Sequence, residues 1–413
     1  MPWKEHRALD LREEFVLKAK APRANISALC REYGISRKTG HKWLARFDQG
    51  GTAGLKELSR RPHRTLNSTD GEMVLQVLET RHAHPRWGPK KLRAILARKG
   101  IDRVPTVRTI ARILERAGEP LVRPRRRHAP VSTVTQPPSV PVDHPNALWT
   151  VDFKGWWRTR DGKRCEPLTV RDAFSRFVLC AAMLGSTKRK PVQRRFERIF
   201  EQFGLPDAIL VDNGPPFSST RARSGLTALA AWWISLGIRI VRSRPGCPQD
   251  NGGHERMHED MALDLELSPA DDLDTQQCAL DAWVHAFNNV RPHEALQMKV
   301  PADVYRRSSR HYRGPLRPNY PDTSQLRRIN ATGCLRLDGQ ALFIGSGIAG
   351  YDVAVHRLDD TTVRVLFYHL ELARFVSTSG SWTFLDHPQL PENPPTTTNQ
   401  PASQPLPDLL PMS

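Results

Sequence analysis

Hydrophobic residues recur at helical spacing through the first part of the chain. Residues 8–48 contain short amphipathic segments separated by turn sequences, and Gly34-Ile35-Ser36 places Ser36 to cap the third segment. A short helix, a glycine turn and a basic amphipathic helix make up a helix-turn-helix. This pattern predicts an all-α helix-turn-helix domain over residues 1–60.

The third segment has an apolar side with Trp43, Leu44 and Phe47 and an opposite basic side. A basic helix face is typical of DNA recognition, although a helical bundle with a solvated basic face would give the same pattern. The candidate DNA-binding residues of this segment are Arg37, Lys38, His41, Lys42 and Arg46.

A second helical pattern covers residues 61–120. Its basic amphipathic segments, Lys90–Lys99 and Thr106–Ala117, predict a second helix-turn-helix-like domain, with an all-helical spacer as the alternative. Its candidate DNA-binding residues are Lys90, Lys91, Arg108 and Arg112. A basic, proline-rich linker follows over 121–146, where Arg125, Arg126 and Arg127 are candidates for contacts with phosphates or are simply solvated.

Between residues 147 and 305 the pattern changes to short apolar runs that alternate with longer amphipathic segments, in the order β-β-β-α-β-α-β-α. The strands are predicted at Leu148–Trp156, Cys165–Val170, Phe177–Ala182, Asp207–Val211 and Ile238–Arg242. The helices are predicted at Lys190–Phe203 and Gly225–Leu236, then from a cap at Asn251, and again over Trp283–Pro292.

Strand-like alternation returns in residues 324–386. The Asp338-Gly339 pair lies between two alternating apolar runs, which indicates a hairpin and predicts a small β-barrel. Binding to DNA and a role in dimerisation or stability are equally compatible with this domain. Residues 387–413 are rich in Pro, Thr, Gln and Ser, a composition that predicts a disordered tail.

The net charge of +19 over 413 residues favours a polyanionic partner. No apolar run approaches the ~18 residues of a membrane span, and the charged N-terminus does not resemble a signal peptide. The six cysteines are scattered without a C-x-x-C pair, which argues against a zinc site and favours a reducing compartment. We therefore expect a cytoplasmic protein with no membrane partner.

Three acids occupy positions suited to metal chemistry. Asp152 lies in the first predicted core strand, Asp212 ends the fourth, and Glu255 lies in the first turn of a helix, with Glu259 as a rival one turn later. Carboxylates gathered at strand ends and a helix start can hold hard divalent cations such as Mg²⁺. Two such ions can stabilise both the attacking and the leaving oxygen in a phosphodiester displacement.

The words around these acids are Asp212-Asn213-Gly214-Pro215-Pro216-Phe217 and Pro248-Gln249-Asp250-Asn251-Gly252-Gly253-His254-Glu255, with an apolar strand leading into Asp152. In this combination the chain resembles bacterial insertion-sequence DDE transposases with a retroviral-integrase-type core, over about residues 145–305.

The resemblance implies a ribonuclease H-like α/β core with a mixed sheet. It also implies a catalytic and metal-binding triad of Asp152, Asp212 and Glu255 that holds two Mg²⁺ ions, for which Mn²⁺ can substitute. Its expected partners are double-stranded DNA, as the terminal inverted repeats of the element and as target, and further copies of the chain on DNA. Its expected location is the bacterial nucleoid.

Two other functions are compatible with the sequence. One is a metal-dependent nuclease of the same fold without strand transfer. The other is a DNA-binding regulator with an inactive core, against which the intact set of three acids argues.

Overall fold

The computed structural model describes residues 8–57, 69–119, 140–218, 225–244 and 247–385. The chain divides into two compact units, Met1–Asp70 and Gly71–Ser413. In its described part, the first unit contains three helices followed by a 3₁₀ turn at Gly51–Leu55: α1 (Ala8–Ala19), α2 (Ile26–Glu32) and α3 (Arg37–Gly50).

The first unit packs tightly where α1, α2 and α3 meet. Phe15, Cys30 and Trp43 are buried there, and Ser36 Oγ accepts a hydrogen bond from the Thr39 amide at 3.1 Å, which confirms the predicted cap of α3. Gly40 lies inside α3, where a helix normally disfavours glycine. A Cβ atom at Gly40 would lie 2.6 Å from Cys30 Sγ, so the close approach of the helices requires glycine at this position.

The second unit begins with three more helices, α4 (Gly71–Ala83), α5 (Pro89–Arg98) and α6 (Val107–Arg116). Their apolar sides enclose a small core that includes Val77, Leu92, Leu96, Ile110 and Leu114. The basic residues of α6 point outward because its apolar positions recur on one face only.

A mixed sheet of five strands follows, in the order β5-β4-β1-β6-β7. Strand β1 pairs antiparallel with β4 and parallel with β6, and β6 pairs parallel with β7. The element order is the one predicted, with an additional two-stranded hairpin, β2–β3, after β1. The strands are β1 (Leu148–Phe153), β2 (Trp157–Arg158), β3 (Arg164–Cys165), β4 (Pro167–Asp172), β5 (Val178–Met183), β6 (Ala208–Val211) and β7 (Arg239–Arg242).

The predicted strand Leu148–Trp156 is too long. Strand β1 ends at Phe153, Gly155 follows in an irregular segment, and the Trp156 side chain is exposed. The predicted strand Cys165–Val170 likewise divides between β3 and β4. In the sequence, Trp156 and Trp157 continue the apolar run of the strand. In the structure only Trp157 of the two is buried, and it lies in the β2–β3 hairpin.

Two helices cover each face of this sheet. Helices α7 (Arg189–Phe203) and α8 (Ala228–Ser235) share a core cluster with Trp149 and Val151, whereas α9 (Gly252–Met261) and α10 (Leu273–Asn289) pack on Val178 and Ala181. A π-helical turn at Ala262–Glu266 extends α9. Helix α10 starts ten residues earlier than predicted, where Asp272 caps it by accepting from the Thr275 amide at 2.8 Å. A short helix, α11 (Pro301–Val304), follows.

The C-terminal strands form a five-stranded antiparallel sheet, in the order β14-β13-β12-β11-β8, and a separate hairpin β9–β10. Within the described residues, backbone pairing leaves β14 and β8 as edges, so the predicted barrel is not shown. The predicted tail lies outside the described residues. The strands are β8 (Gln325–Arg328), β9 (Cys334–Leu337), β10 (Gln340–Phe343), β11 (Asp352–Arg357), β12 (Thr362–Phe367), β13 (Leu370–Thr378) and β14 (Ser381–Leu385).

Helix α8 joins the mixed sheet to the C-terminal sheet. Trp232 and Trp233 pack with the mixed sheet, whereas Ala230, Ala231 and Ile234 belong to the core of the C-terminal sheet. The helix is apolar on all sides because it is buried between two layers, as expected for a helix without a polar face.

We predict that Gly40→Ala destabilises the first helical unit. The new methyl group would clash with Cys30 Sγ and with Phe15 Cζ, 3.0 Å away, and overpacking of this kind costs ~1–3 kcal/mol. Hydrogen exchange of the amides of α1 to α3 should become faster. Gly50→Ala in the same helix is the control, because nothing lies within 4 Å of its added Cβ atom. Equal exchange rates in the two variants would contradict the packing argument.

Candidate active site

The parallel pairing of β1 with β6 brings two of the predicted acids together. Thr150 is aligned with Leu210, so Asp152 and Asp212, each two residues further along, occupy neighbouring positions near the C-terminal ends of β1 and β6. Both strands carry large apolar residues that bury them in the middle of the sheet. Helix α9 places Glu255 in its first turn, close enough for its charge to act on Asp152.

The electrostatics of Asp152 reflect these neighbours. Burial raises the pKa of its carboxyl group to about 7, with further contributions from the charges of Asp212 and Glu255, and the Phe153 amide opposes the shift. Burial also raises the pKa of Asp212, against hydrogen bonding from the Gly214 amide. The three acids therefore form a region of concentrated negative charge.

The turn after Asp212 is held by two neighbours in sequence. A Cβ atom at Gly214 would lie only 3.0 Å from Asp212 Oδ2, so the turn passes close to the carboxylate. Asn213 Nδ2 donates to the Ser243 carbonyl at 2.8 Å, which ties this turn to the end of β7. Both residues keep the turn tight, as the motif suggests.

Two histidines of α9, absent from the sequence-based candidates, line the back of this site. Thr169 Oγ1 donates its one hydrogen to the Asp152 carbonyl at 2.9 Å. It therefore accepts from the Nε2 atoms of His254 and His258, at 2.7 and 2.8 Å. His254 Nδ1 in turn lies 2.7 Å from Thr150 Oγ1. The spacing of the two histidines by four residues in a predicted helix is the sequence signal that would have placed them on one face.

This network leaves the lone pair of His258 Nδ1 facing Asp152 Oδ2 at a distance of 3.8 Å. Burial lowers the pKa of His258 to about 3, so the ring is neutral and does not compensate the carboxylate. Two acceptors that face each other beside further acids suit a hard cation with oxygen ligands, such as Mg²⁺ or Mn²⁺. As the side chains stand, however, no group of three His, Cys, Asp or Glu residues in the described ranges is gathered closely enough to hold an ion.

The loop before α9 is organised by an ion pair. Arg244 Nη2 and Asp250 Oδ1 lie 2.6 Å apart, and Asp250 also accepts from the Arg244 amide at 3.0 Å. Arg244 lowers the pKa of Asp250, which is consistent with a charged pair. The predicted cap at Asn251 is wrong in its detail: Asn251 precedes α9, but its side chain makes no capping hydrogen bond, and its buried Oδ1 has no partner among the described residues.

The rival acid, Glu259, lies one turn further along α9. It forms an ion pair with Arg256 at 3.4 Å. The charge of Glu255 contributes to the raised pKa of Asp152. The geometry therefore favours Glu255 as the third member of the acidic group.

The predicted DNA-binding residues of α3 and α6 lie mainly on the surface. Arg46 is the exception, because it is half-buried over the Trp43 ring at 5.1 Å. Arg125, Arg126 and Arg127 lie outside the described residues. The exposed members of the set are Arg37, Lys38, His41, Lys42, Arg108 and Arg112.

The candidates of α5 contact the rest of the second unit. Lys90 forms an ion pair with Glu294, and the neighbouring Arg98 pairs with Asp303 at 2.5 Å. Lys91 is half-buried, and burial lowers its pKa to about 8, with a further contribution from the charge of Arg291. In this arrangement Lys90 and Arg98 are paired with acids of the core, so DNA could bind these two cations only by displacing those acids.

Most of these elements lie in segments that match known protein families. Residues 11–63 match a helix-turn-helix domain, and residues 39–114 match a homeodomain-like domain. Residues 142–248 and 236–301 match the integrase core domain. The part of the chain that contains Asp152 and Asp212 and the part that contains Glu255 therefore both lie in integrase core regions. Among the described residues, no helix is long and apolar enough to cross a bilayer.

Several proteins of insertion elements are similar to this chain. The insertion element IS407 uncharacterized 31.7 kDa protein of Burkholderia multivorans is 26% identical over 234 residues, which cover 56% of this chain and 79% of the relative. The insertion element IS476 uncharacterized 39.2 kDa protein of Xanthomonas euvesicatoria is 26% identical over 55% of this chain and 62% of the relative. The crystal structure of the catalytic core domain of BIV integrase is 22% identical, with a TM-score of 0.30 over 38% of this chain and 92% of that domain.

We predict that Asp152→Asn stabilises the protein when no metal is bound. The folded pKa of about 7 exceeds the unfolded value of 3.8, so ionised Asp152 destabilises the fold as pH rises through this window. The amide should recover as much as ~4 kcal/mol above pH 7 and nothing near pH 4.

The measurement is the melting temperature in EDTA across this pH range, followed by tryptophan fluorescence. Asp271→Asn is the control, because its side chain is 76% exposed and its surface ion pair with Arg160 contributes little. A wild-type protein that melts above Asp152→Asn at pH 8 would contradict the electrostatic argument.

Proposed function

We infer that this chain, an insertion-sequence transposase with an integrase-type core, binds the ends of its element, cleaves them to free 3′-hydroxyl groups and joins these to target DNA. The observation that carries the proposal is the concentration of negative charge around Asp152, which β1, β6 and α9 create together. Bringing like charges together is unfavourable unless a cation offsets their repulsion. Such a site suits metal-dependent phosphodiester chemistry better than a structural role.

In this proposal Asp152, Asp212 and Glu255 hold up to two Mg²⁺ ions, and Mn²⁺ can substitute. When bound, the ions activate the attacking oxygen and stabilise the charge that develops on the leaving 3′ oxygen. Strand β1 and the end of β6 fix the backbone positions of Asp152 and Asp212. Thr169 and His258 position Asp152 from behind through the hydrogen bonds described above.

The reaction needs no covalent protein intermediate, because water or a 3′-hydroxyl can attack the phosphodiester directly. In the first step water attacks, the bond to the 3′ oxygen breaks and a 3′-hydroxyl is released. In the second step that hydroxyl attacks a phosphodiester of the target, and a 3′ oxygen of the target leaves. The number of phosphodiester bonds is unchanged in the second step, so no further energy source is required.

The helix-turn-helix domains supply the affinity for DNA. The exposed basic residues of α3 and α6 are suited to hold the terminal inverted repeats, with the net charge of +19 attracting the duplex more generally. Joining two ends to one target requires two active sites, and each chain supplies one acidic group. We therefore propose a homo-oligomer on DNA.

We predict that Asp152→Asn, Asp212→Asn and Glu255→Gln each abolish cleavage while they preserve DNA binding. Each change removes one negative charge from the metal ligands, and the loss should reach about a thousandfold in rate, or ~4 kcal/mol of barrier. DNA affinity should stay the same or rise, because an acid near phosphate has been removed. The measurement combines cleavage of end-containing duplexes in Mg²⁺ with a plasmid-joining assay.

Glu259→Gln is the matched control for Glu255→Gln, one helical turn away. It should keep its activity, since Glu259 pairs with Arg256 on the helix surface. If Glu259→Gln loses activity and Glu255→Gln keeps it, the third ligand is misassigned. Cleavage without joining by the wild-type protein would instead identify a nuclease of the same fold.

We predict that Arg37→Ala, Lys38→Ala and Lys42→Ala together weaken binding to the element end. Each phosphate contact contributes about 0.9 to the slope of log affinity against log salt concentration, so the slope should fall by ~2–3. The control combines Lys18→Ala with Lys20→Ala, since both lysines already pair with acids of this unit. Equal slopes for the two variants in anisotropy titrations would exclude α3 as a DNA-binding helix.

A further inference from the structure

Helix α7 carries a row of positive charges along its outer face. Lys190, Arg194 and Arg198 recur every four residues, so they share one side of the helix and extend over about 12 Å. All three are exposed, and within the described ranges none of them forms an ion pair with a carboxylate. Lys188 and Arg189 add two more exposed cations at the start of the helix.

This arrangement is unfavourable for the helix itself. Each pair of like charges four residues apart destabilises a helix by about 0.2–0.5 kcal/mol. Cations in the first turn oppose the helix dipole, and the first turn of α7 contains no acid. Glu197, which lies between the cations, accepts instead from Gln193 Nε2 at 3.3 Å. The charges of α7 are unfavourable for the helix, and the contacts described above do not offset them. We infer that they serve to bind an external ligand, which for a row of cations is an anion.

The same cations border a groove of about 530 Å³ beside the edge of the mixed sheet, which Arg194, Arg195 and Arg198 line together with Gln277 and Asp281. The one acid of the lining, Asp281, accepts from Gln277 Nε2 at 2.8 Å. Arg195 Nε donates to Cys180 Sγ at 3.1 Å, a neutral thiol because burial raises its pKa. Among the described residues, three arginines and one acid line the groove, so its net charge is positive.

The sheet topology puts the start of α7 at the same end of the sheet as the acidic group, with α7 on the opposite face from α9. Strands β1 and β5 are both antiparallel to β4, so they run in the same direction and their C-terminal ends reach the same edge of the sheet. Asp152 is aligned with Thr169, and Thr169 with Ala181. These positions are two strand spacings apart, about 10 Å. From that end of β5 the chain leads directly into the cations at the start of α7.

We propose that the Lys190, Arg194 and Arg198 face of α7 binds the sugar-phosphate backbone of the DNA duplex that enters the active site. This inference rests on the proposed function only in naming the duplex as the reacting one. Contacts between cations and phosphates fix the position of a duplex but carry no sequence information, so we expect binding by this face to be independent of sequence. A second copy of the chain is the competing occupant, which the test below distinguishes by sedimentation.

The test compares two triple variants of the full chain. Lys190→Ala, Arg194→Ala and Arg198→Ala remove the α7 face. Arg160→Ala, Lys163→Ala and Arg164→Ala remove equal charge from cations that pair with Asp271, Asp161 and Glu166 at 3.0 Å each. Anisotropy titrations in EDTA use two duplexes, one with the terminal sequence of the element and one of random sequence.

The α7 variant should lower the salt slope by ~2–3 on both duplexes, and the control by less than about one. Its melting temperature without DNA should stay the same or rise, because repulsion within α7 is relieved, whereas a structural role would lower it. Amine acetylation of Lys190 in the wild-type protein should be blocked by the random-sequence duplex.

Equal slopes in the two variants would overturn the proposal, as would a loss confined to the element-end duplex. A changed sedimentation coefficient without DNA, together with unaltered DNA affinity, would assign the face to contacts between copies instead. These titrations involve no cleavage, so they can fail while wild-type cleavage in Mg²⁺ succeeds, and the reverse result would reject the proposed function alone.

Discussion

The parallel pairing of β1 with β6 is the constraint on which the site depends. It sets Asp152 and Asp212 at neighbouring positions near the C-terminal ends of the two strands. The fold accepts the repulsion of two neighbouring acids because the strands are buried by large apolar residues, including Trp149 and Ile209, which hold the register. A shift by one residue would turn one of the acids into the core, so the packing of the sheet and the geometry of the carboxylates are coupled.

The side chains behind the acids extend this constraint to α9. His254 and His258 reach Thr150 and Thr169 on two adjacent strands, and these bonds fix how far α9, and with it Glu255, stands from Asp152. Buried polar groups are tolerated when every member has a partner, and such networks specify one arrangement of a helix on a sheet. The hydrogen bonds on the buried side of α9 thus fix the position of Glu255.

The cations of the second unit differ in whether they form ion pairs with acids. Cations of α5, such as Lys90, are paired with acids of the core, and those of the β2–β3 hairpin pair with near neighbours. Along α7, in contrast, Lys190, Arg194 and Arg198 form no ion pair within the described residues, and the helix starts at the end of the sheet to which the C-terminal ends of β1 and β5 both point. Paired charges add little beyond solubility, whereas unpaired cations beside a negatively charged site favour the approach of a phosphate backbone.

Much of this architecture was predictable from the sequence. Periodicity located the helices of both N-terminal domains and all five strands of the mixed sheet, because burial of one face imposes a spacing that the chain has to show. The sequence motifs around Asp152, Asp212 and Glu255 placed these three acids in one group. The ends of elements were less predictable: β1 stops at Phe153, before Gly155, although apolar residues continue, and α10 begins well before its apolar run.

Tertiary structure alone decided the remaining features. Helix α8 is apolar on all sides, a pattern that a sequence cannot assign to one partner, and only the fold shows that it is shared between two sheets. The roles of Thr169 and His258 depend on contacts across 89 residues of sequence. The exposed charge of α7 gains significance only from the direction of β5 relative to β1. Local patterns determine which elements form, but the distances between charges that are remote in sequence arise only when the strands pair.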